Sequence, residues 1–505
     1  MKSTGTLTAA VAAVLTAAGA AMSTVPAPAE DSGATAIESV VVNADYTQVI
    51  NPTAKPSLFG LANEPSRAHQ DAVYPLFQRV GVKLQRGTIH MDRLFTDKFP
   101  NMTIQDYLSN VGEVQNPDNW DWSILSWLDQ AKARGITTQM NILQAPAWLT
   151  FSGTNSGIPK DWSIWQDIVR KVVERNAATI DQIDILNEPM TSPMVTRAGS
   201  PYRSQQSAAA DLYLYTVKAI RSVNQSVIVG GDGDDKQGGD FGAMGTILRD
   251  PRLSPTDIQF VSFHVYSPDV VANAKLPELK ALLEATGHAG IPIYLNEWNH
   301  NYFGDTTAPQ VVGRQATTFV ASTLINLANQ PIITGAGFMS SVPGNVELDP
   351  VENCPGCIIN QAIYDWNGDS AALWPQARAY RLMSVDAGLG DGEFSTVATT
   401  AGGLTNAVAF TNVHGQKGVI LVNDTASPKE VDATLEATGY TAKNVTVRVY
   451  TADTGLNTGD LPTHANRAAV KAGNVTVHDV AVPAFSAVAV VMDDSGTPSS
   501  AANAG

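Results

Sequence analysis

Cysteine is nearly missing from this chain. Its 505 residues hold two, Cys354 and Cys357, both in the segment Asn-Cys-Pro-Gly-Cys. That excludes a disulfide-built scaffold, and with no second pair and no neighbouring histidine cluster it completes no zinc site. A local disulfide between Cys354 and Cys357, closing one loop, is the expectation for an exported chain. A thioredoxin-like role is disfavoured, because the pair does not open a helix after a first strand. Basic residues are scarce as well: 32 Lys and Arg against 48 Asp and Glu give a formal charge of -16. Nucleic acid and anionic lipid both reward clustered Lys and Arg, so neither is expected as a partner. With 44% hydrophobic and 16% charged residues, the composition is that of a globular protein, neither disordered nor polytopic in a membrane.

Long apolar runs are absent except at the start. Met1 and Lys2 precede an apolar stretch from about Leu7 to Met22, followed by small residues and prolines up to Ala29. This is the pattern of a secretory signal peptide over 1–29, with Ala20 and Ala29 as cleavage sites. The stretch is shorter than the ~20 residues a membrane span needs, and Thr and Gly interrupt it. The expectation is a secreted, extracellular protein with no membrane anchor after cleavage. Other chemistries lack their motifs. There is no P-loop, no nicotinamide fingerprint and no Ser-His-Asp order. Asp232-Gly-Asp234-Asp235 lacks the spacing to a terminal Glu that an EF-hand requires, and reads as a solvated loop. No cofactor and no metal is expected.

What is present is a regular alternation. Residues 30–56 read as a leader followed by a strand that joins a later sheet. Over 57–390, eight short apolar runs alternate with helical patterns: Leu58–Leu61, Lys83–Arg86, Thr137–Ile142, Gln182–Leu186, Val227–Gly230, Phe260–Phe263, Ile293–Leu295 and Ile333–Phe338. Between them, Trp165, Ile168, Val169, Val172 and Val173 mark one face of a helix with 3.6-residue period. Eight such units predict an α/β fold, a (β/α)8 TIM barrel. Over 391–494 the runs become strand-length, alternating or wholly apolar, with turns between them. They predict a C-terminal antiparallel β-sandwich domain. Residues 495–505 read as a disordered tail.

Catalytic groups of a TIM barrel stand at the C-terminal ends of its strands. The fourth run ends in Asn187-Glu188-Pro189, the sixth in His264-Val-Tyr266 and the seventh in Asn296-Glu297-Trp298-Asn299. Two carboxylates at two strand ends of one barrel suit glycoside cleavage, where one protonates the leaving oxygen and the other attacks the anomeric carbon or activates water. A single strand-end Glu is more often a structural ion pair. The pairing, with Asn and aromatic neighbours, is what shifts the reading.

These strand ends resemble those of clan A glycoside hydrolases. Within that clan, Asn296-Glu297-Trp298-Asn299 and a barrel followed by a β-sandwich are most similar to glycoside hydrolase family 39, the family of β-xylosidases and α-L-iduronidases. The resemblance covers roughly residues 57 to 490. It implies a retaining, exo-acting glycosidase with an oligosaccharide or polysaccharide substrate. Carried over, Glu188 is the general acid/base, Glu297 the nucleophile, and Asn187 a partner of the sugar 2-hydroxyl. His264 and Tyr266 line the same pocket, with Tyr266 donating to the nucleophile. Arg86 at the end of the second run stands near the nucleophile, where a structural ion pair is equally expected. His90 is placed to reach a substrate hydroxyl, although members of that family carry a histidine nearer Gly87 or Thr88. Trp148, Trp298 and Trp374 are candidate sugar-stacking rings, with core packing as the competing role.

Asn63-Glu64-Pro65 repeats the Asn-Glu-Pro triplet, but it follows the first run. By barrel position it reads as a loop or subsite residue rather than a catalytic one. An endo-acting glycanase and a non-catalytic secreted glycan-binding protein remain as alternative readings. Retention of both carboxylates argues against the second of these.

Overall fold

Each apolar run between two amphipathic helices has one favourable arrangement, parallel pairing with its neighbours under a layer of helices. In a computed structural model, which describes residues 37–494 except 66, 96–97, 192–194, 236, 301–314, 340–363, 368–369, 374, 442–444 and 453–467, the runs close into that arrangement. The first strand, β1 (Glu38–Ala54), precedes the barrel. Strands β2 (Gly60–Ala62), β3 (Leu84–His90), β4 (Thr137–Gln144), β5 (Gln182–Ile185), β6 (Ile228–Asp234), β7 (Val261–Tyr266), β8 (Ile293–Asn299) and β9 (Ile333–Phe338) form a closed barrel in chain order. All eight pairings are parallel. The expected signal peptide, the Cys354–Cys357 pair, Trp374 and the tail from 495 lie outside the described residues. Among the described residues no helix is long and apolar enough to cross a membrane.

The helix Trp162–Arg175 shows how the outer layer is built. Asp161 caps it, its carboxylate accepting from the Ser163 and Ile164 amides. Ile164, Trp165, Ile168, Val169, Val172 and Val173 form its buried face, the 3.6-residue stripe. The Trp165 indole donates to Thr216 Oγ1 at 2.9 Å, which ties this helix to Gln205–Val223. Inside the barrel, Leu84, Phe260 and Tyr294 make a small apolar layer. Above that layer the filling becomes polar.

After the barrel come a hairpin of β10 (Tyr364–Asn367) and β11 (Ser370–Leu373), then β12 (Phe394–Thr400), β13 (Asn406–Thr411), β14 (Lys417–Asn423), β15 (Lys429–Glu436), β16 (Val445–Thr451), β17 (Ala468–Lys471), β18 (Asn474–Val482) and β19 (Ser486–Asp494). Nine strands form one sheet in the order β16-β19-β14-β13-β12-β1-β15-β18-β17. Strands from both ends share one core: Val419 and Leu421 of β14 and Val488 and Val490 of β19 meet Val431 of β15 and Val477 of β18. The sheet therefore curls over itself as a sandwich does. It is antiparallel except where β1 runs parallel to β15, a departure from the wholly antiparallel expectation.

Strands β14 and β19 are apolar on both faces for a reason. Alternate residues Ile420, Val422, Ala487, Ala489 and Val491 belong to the core shared with the barrel. Polar clamps flank this contact: Thr318 Oγ1 donates to Asp424 at 2.6 Å, and Asn51 Nδ2 donates to the Ala328 carbonyl at 2.7 Å. The sandwich thus braces the helix Gln315–Ala328, which packs behind β8.

Candidate active site

The inner face of the barrel carries a buried charge network. Along β3, Gly87 faces outward, since a Cβ there would lie 2.5 Å from the Trp127 ring. Arg86 therefore points inward. Its Nε donates to Asp184 at 2.8 Å, its Nη1 to Glu297 Oε1 at 2.6 Å and its Nη2 to Asn187 Oδ1 at 2.7 Å. Arg86 is 1% exposed and Asp184 0%, so neither charge is compensated by water; each depends on the other. Asp184 also accepts from Asn296 Nδ2 at 2.8 Å and from Ser262 Oγ at 2.6 Å. One carboxylate thus ties β3, β5, β7 and β8 together beneath the barrel mouth.

Glu188 follows the end of β5 on strained backbone. Leu186 and Glu188 sit at φ 76° and 44°, in the left-handed region that non-glycine residues rarely occupy. The surroundings hold them there. The Leu186 amide donates to the Ile142 carbonyl at 3.1 Å and the Glu188 amide to the Gly233 carbonyl at 2.8 Å. Gly233 must itself be glycine: it has φ +61°, and a Cβ would lie 3.3 Å from His264 Nε2 and 3.4 Å from Arg86 Nη2.

Glu297 owes its direction to a β-bulge. In the pairing of β7 with β8, Phe263 faces Leu295 but His264 faces Glu297, so Asn296 is the extra residue. A bulge lets two successive side chains turn to one side. Asn296 reaches Asp184 and Glu297 reaches Arg86, both inside the barrel. The next residue, Trp298, is turned outward.

The two glutamates meet at His264. Its Nδ1 is 2.8 Å from Glu188 Oε1 and 3.4 Å from Glu297 Oε2. Tyr266 donates to Glu297 Oε2 at 2.6 Å. His264 Nδ1 and one oxygen from each glutamate lie within 4.8 Å of one another. Burial pushes the Glu297 carboxyl upward, but His264, Arg86 and Tyr266 outweigh it and hold Glu297 below the ordinary carboxylate value. Burial pulls His264 downward, but Glu297 and Glu188 outweigh it and raise the imidazole above its ordinary value. Three such ligands could bracket a metal ion. Here both oxygens of Glu297 already accept from protein donors, Arg86 on one and Tyr266 on the other. The set can present one ionised carboxylate and, under 5 Å away, a second carboxyl group whose Oε1 His264 engages.

Of the residues singled out in sequence, the structure brings Glu188, Glu297, Asn187, His264, Tyr266 and Arg86 into this one cluster. Trp298 is corrected: it is 0% exposed and packs against Phe338 at 5.0 Å and Phe319 at 6.2 Å, because the bulge turns it into the core. Trp148 is also corrected. Its half-buried ring stacks on Tyr107 at 5.6 Å and meets the edge of Phe95 at 5.9 Å, so packing, the competing role, takes one face of it. His90 bonds Gln144 Oε1 through Nδ1 at 2.7 Å and lines a side cavity together with Glu64. Asp232-Gly-Asp234 is no solvated loop: Asp232 is 1% and Asp234 0% exposed, within β6. Burial, with Asp234 and Asp184 nearby, raises the Asp232 carboxyl well above the ordinary value. Asp184 went unnoticed in sequence, and Asn296 was given no role there. The signal for Asp184 was a charged residue between Ile183 and Ile185 in a fully buried strand, which demands a partner.

Two expected outcomes follow from these environments. Tyr266→Phe removes one donor from Glu297, so the carboxyl rises and the acidic limb of kcat/KM moves to higher pH. A drop in rate on the order of 10-fold to 100-fold accompanies it, and a pH–rate profile reads both. The second outcome concerns Glu64, which burial raises from 4.5 to about 7 although the Thr88 amide, Arg93 and Arg86 oppose the rise. Between those two values the folded chain holds a proton that the unfolded chain has lost, so stability falls as pH rises through that window. Glu64→Gln removes the loss. Its melting temperature should exceed that of the parent by about 2 °C at pH 8 and match it near pH 4.

Comparison with known proteins agrees with this fold. The family model described as cellulase (glycosyl hydrolase family 5) matches residues 98–329. No curated protein matches the chain by sequence. Among solved structures, a glucosidase from Croceicoccus marinus superimposes with a TM-score of 0.62 at 13% identity, over 90% of this chain and 99% of that one. A glycoside hydrolase family 39 enzyme from Xanthomonas axonopodis pv. citri gives 0.59 at 14% identity, over 92% and 99%. A family 30 subfamily 8 xylanase from Clostridium acetobutylicum gives 0.58 at 14% identity, over 90% and 99%.

Proposed function

We propose that this chain, a glycosidase of clan A, retains anomeric configuration through a covalent glycosyl-enzyme on Glu297. One observation carries the reading. Oxygens of Glu188 and Glu297 lie within 4.8 Å of each other. Retaining enzymes hold the pair about 5–5.5 Å apart, whereas inverting ones leave roughly 6.5–9.5 Å for a water.

In the first step Glu188 delivers a proton to the glycosidic oxygen. The Glu297 carboxylate attacks the anomeric carbon as that C–O bond breaks, giving an ester and a free alcohol. In the second step Glu188, now a carboxylate, takes a proton from water; the water oxygen attacks the anomeric carbon and releases Glu297. His264, engaging Glu188 Oε1, leaves the other oxygen to carry the transferred proton. Asn187 presents its amide N–H to the sugar 2-hydroxyl, because Arg86 already occupies its Oδ1. Such a hydrogen bond strengthens as charge develops at the adjacent carbon.

The protein is exo-acting in this reading, releasing single sugars in the manner of a β-xylosidase or arabinosidase from oligosaccharides or polysaccharide side chains. It is secreted by means of the signal pattern over 1–29. The match to a cellulase family model favours a second reading, an endo-acting glycanase. Release of nitrophenol from a panel of nitrophenyl monosaccharides, compared with new reducing ends from xylan and cellulose, separates the two. NMR of the first-formed anomer tests the mechanism: the configuration of the substrate is expected, and its inverse would reject the retaining step.

A further inference from the structure

At the C-terminal end of β3 is a cavity of about 230 Å³, lined by Glu64, Arg67, Gln70, Thr88, His90 and Arg93 among others. Its place follows from strand geometry. Arg86, Thr88 and His90 alternate along the inner face of β3, so Thr88 stands roughly 7 Å and His90 roughly 13 Å above the arginine that holds Glu297. The Thr88 amide donates to Glu64 Oε2 at 2.9 Å and fixes that carboxyl in the cavity wall. Glu64 feels the charge of Arg86 as well as that of Arg93, so the cavity and the catalytic pair share one electrostatic neighbourhood.

The arginines set this cavity apart. In a chain of formal charge -16, Arg67 and Arg93 face one cavity, and neither has an ion-pair partner among the described residues. Asp121 and Glu64 line the wall too, one Asp121 oxygen accepting from the Ser123 amide at 2.9 Å. Arg67, exposed at the rim, and the half-buried Arg93 can match a planar or tetrahedral anion through paired N–H donors. Gln70 is already committed, to Ser126 at 2.9 Å and to the Pro65 carbonyl at 3.3 Å, and the arginines are the cationic donors of the wall.

We propose that this cavity is a subsite for an anionic sugar unit, whose carboxylate or sulfate ester sits between Arg67 and Arg93. The proposal deepens the glycosidase reading and rests on it for the position of the cleaved bond. The substrate then carries a charged unit next to the scissile one.

Titration calorimetry of the full chain with free glucuronic acid, glucose 6-sulfate and glucose tests this without any turnover. At least one anion should bind on the order of tenfold tighter than glucose at low salt, and Arg93→Gln and Arg67→Gln should each remove most of that preference. Tighter binding of glucuronic acid alone assigns a uronate, and of the sulfate alone a sulfate ester. Equal affinity for all three, or an anion preference that survives Arg67→Gln/Arg93→Gln, would overturn the subsite. The same titration in Glu188→Ala should keep the preference. If Glu188→Ala also kept full hydrolysis, the catalytic reading would fail while the subsite stood.

Discussion

Glu297→Ala is expected to lower kcat/KM on the order of 10⁴-fold or more, and azide is expected to restore turnover with inversion of the anomeric centre. Removing the carboxylate leaves a space in which a small anion can attack the anomeric carbon directly. A single displacement inverts configuration. Glu188→Ala should behave differently on both counts. It should lose least with nitrophenyl leaving groups, which depart without a proton, and most with alkyl or sugar leaving groups. Azide should rescue it with retained configuration, because the azide then intercepts an ester that Glu297 has already formed. The opposite stereochemistry of the two azides assigns the roles more firmly than the rate losses, since misfolding could reduce rate but could not produce two opposite products. Full activity in Glu297→Ala, with rescue of neither variant, would reject the assignment.

Arg86→Ala is expected to lower stability by about 3–5 kcal/mol, as removal of one partner from a buried ion pair does. The reason is the environment: Arg86 is 1% exposed and donates to Asp184, Glu297 and Asn187, so its loss strands the enclosed Asp184 carboxylate and leaves Glu297 with the charge of His264 alone. Activity should fall with it, because Glu297 would lose a donor and one of the charges that hold it ionised. Urea unfolding measures the first effect. Adding Asp184→Asn to Arg86→Ala should recover part of the stability, since it removes the stranded charge, and the two changes should be strongly non-additive. A loss under about 1 kcal/mol for Arg86→Ala would show that water or relaxation replaces the arginine, and that the network does not hold the site.

Much of the barrel was legible in sequence because its signal is repeated. Eight apolar runs with helical stripes between them leave few alternatives, and every run named overlaps an observed strand. The catalytic cluster was legible for a related reason: position at the end of a strand places a side chain at the barrel mouth whatever the loops do. What escaped was whatever depends on local departure from period two. The bulge at Asn296 turns Glu297 inward and Trp298 outward, and nothing in Asn-Glu-Trp-Asn announces it; regular alternation would have given Trp298 the wrong face. Trp148 escaped because its partners, Tyr107 and Phe95, are remote in sequence and belong to an irregular segment. Asp232 and Asp234 read as a loop because Gly and Asp disfavour strands, yet β6 carries them into the barrel wall, where burial raises the Asp232 carboxyl. The parallel pairing of β1 with β15 joins segments nearly four hundred residues apart, and no local pattern fixes the direction of such a pair.

Covalent trapping tests the account most directly. The protein would be incubated with the 2-deoxy-2-fluoro analogue of whichever aryl glycoside it hydrolyses best, then digested and mapped by mass. A single fluorosugar adduct is predicted, on the peptide that contains Glu297 and on that residue within it. A label on Glu188, or a protein fully inactivated with no adduct on either glutamate, would contradict the account.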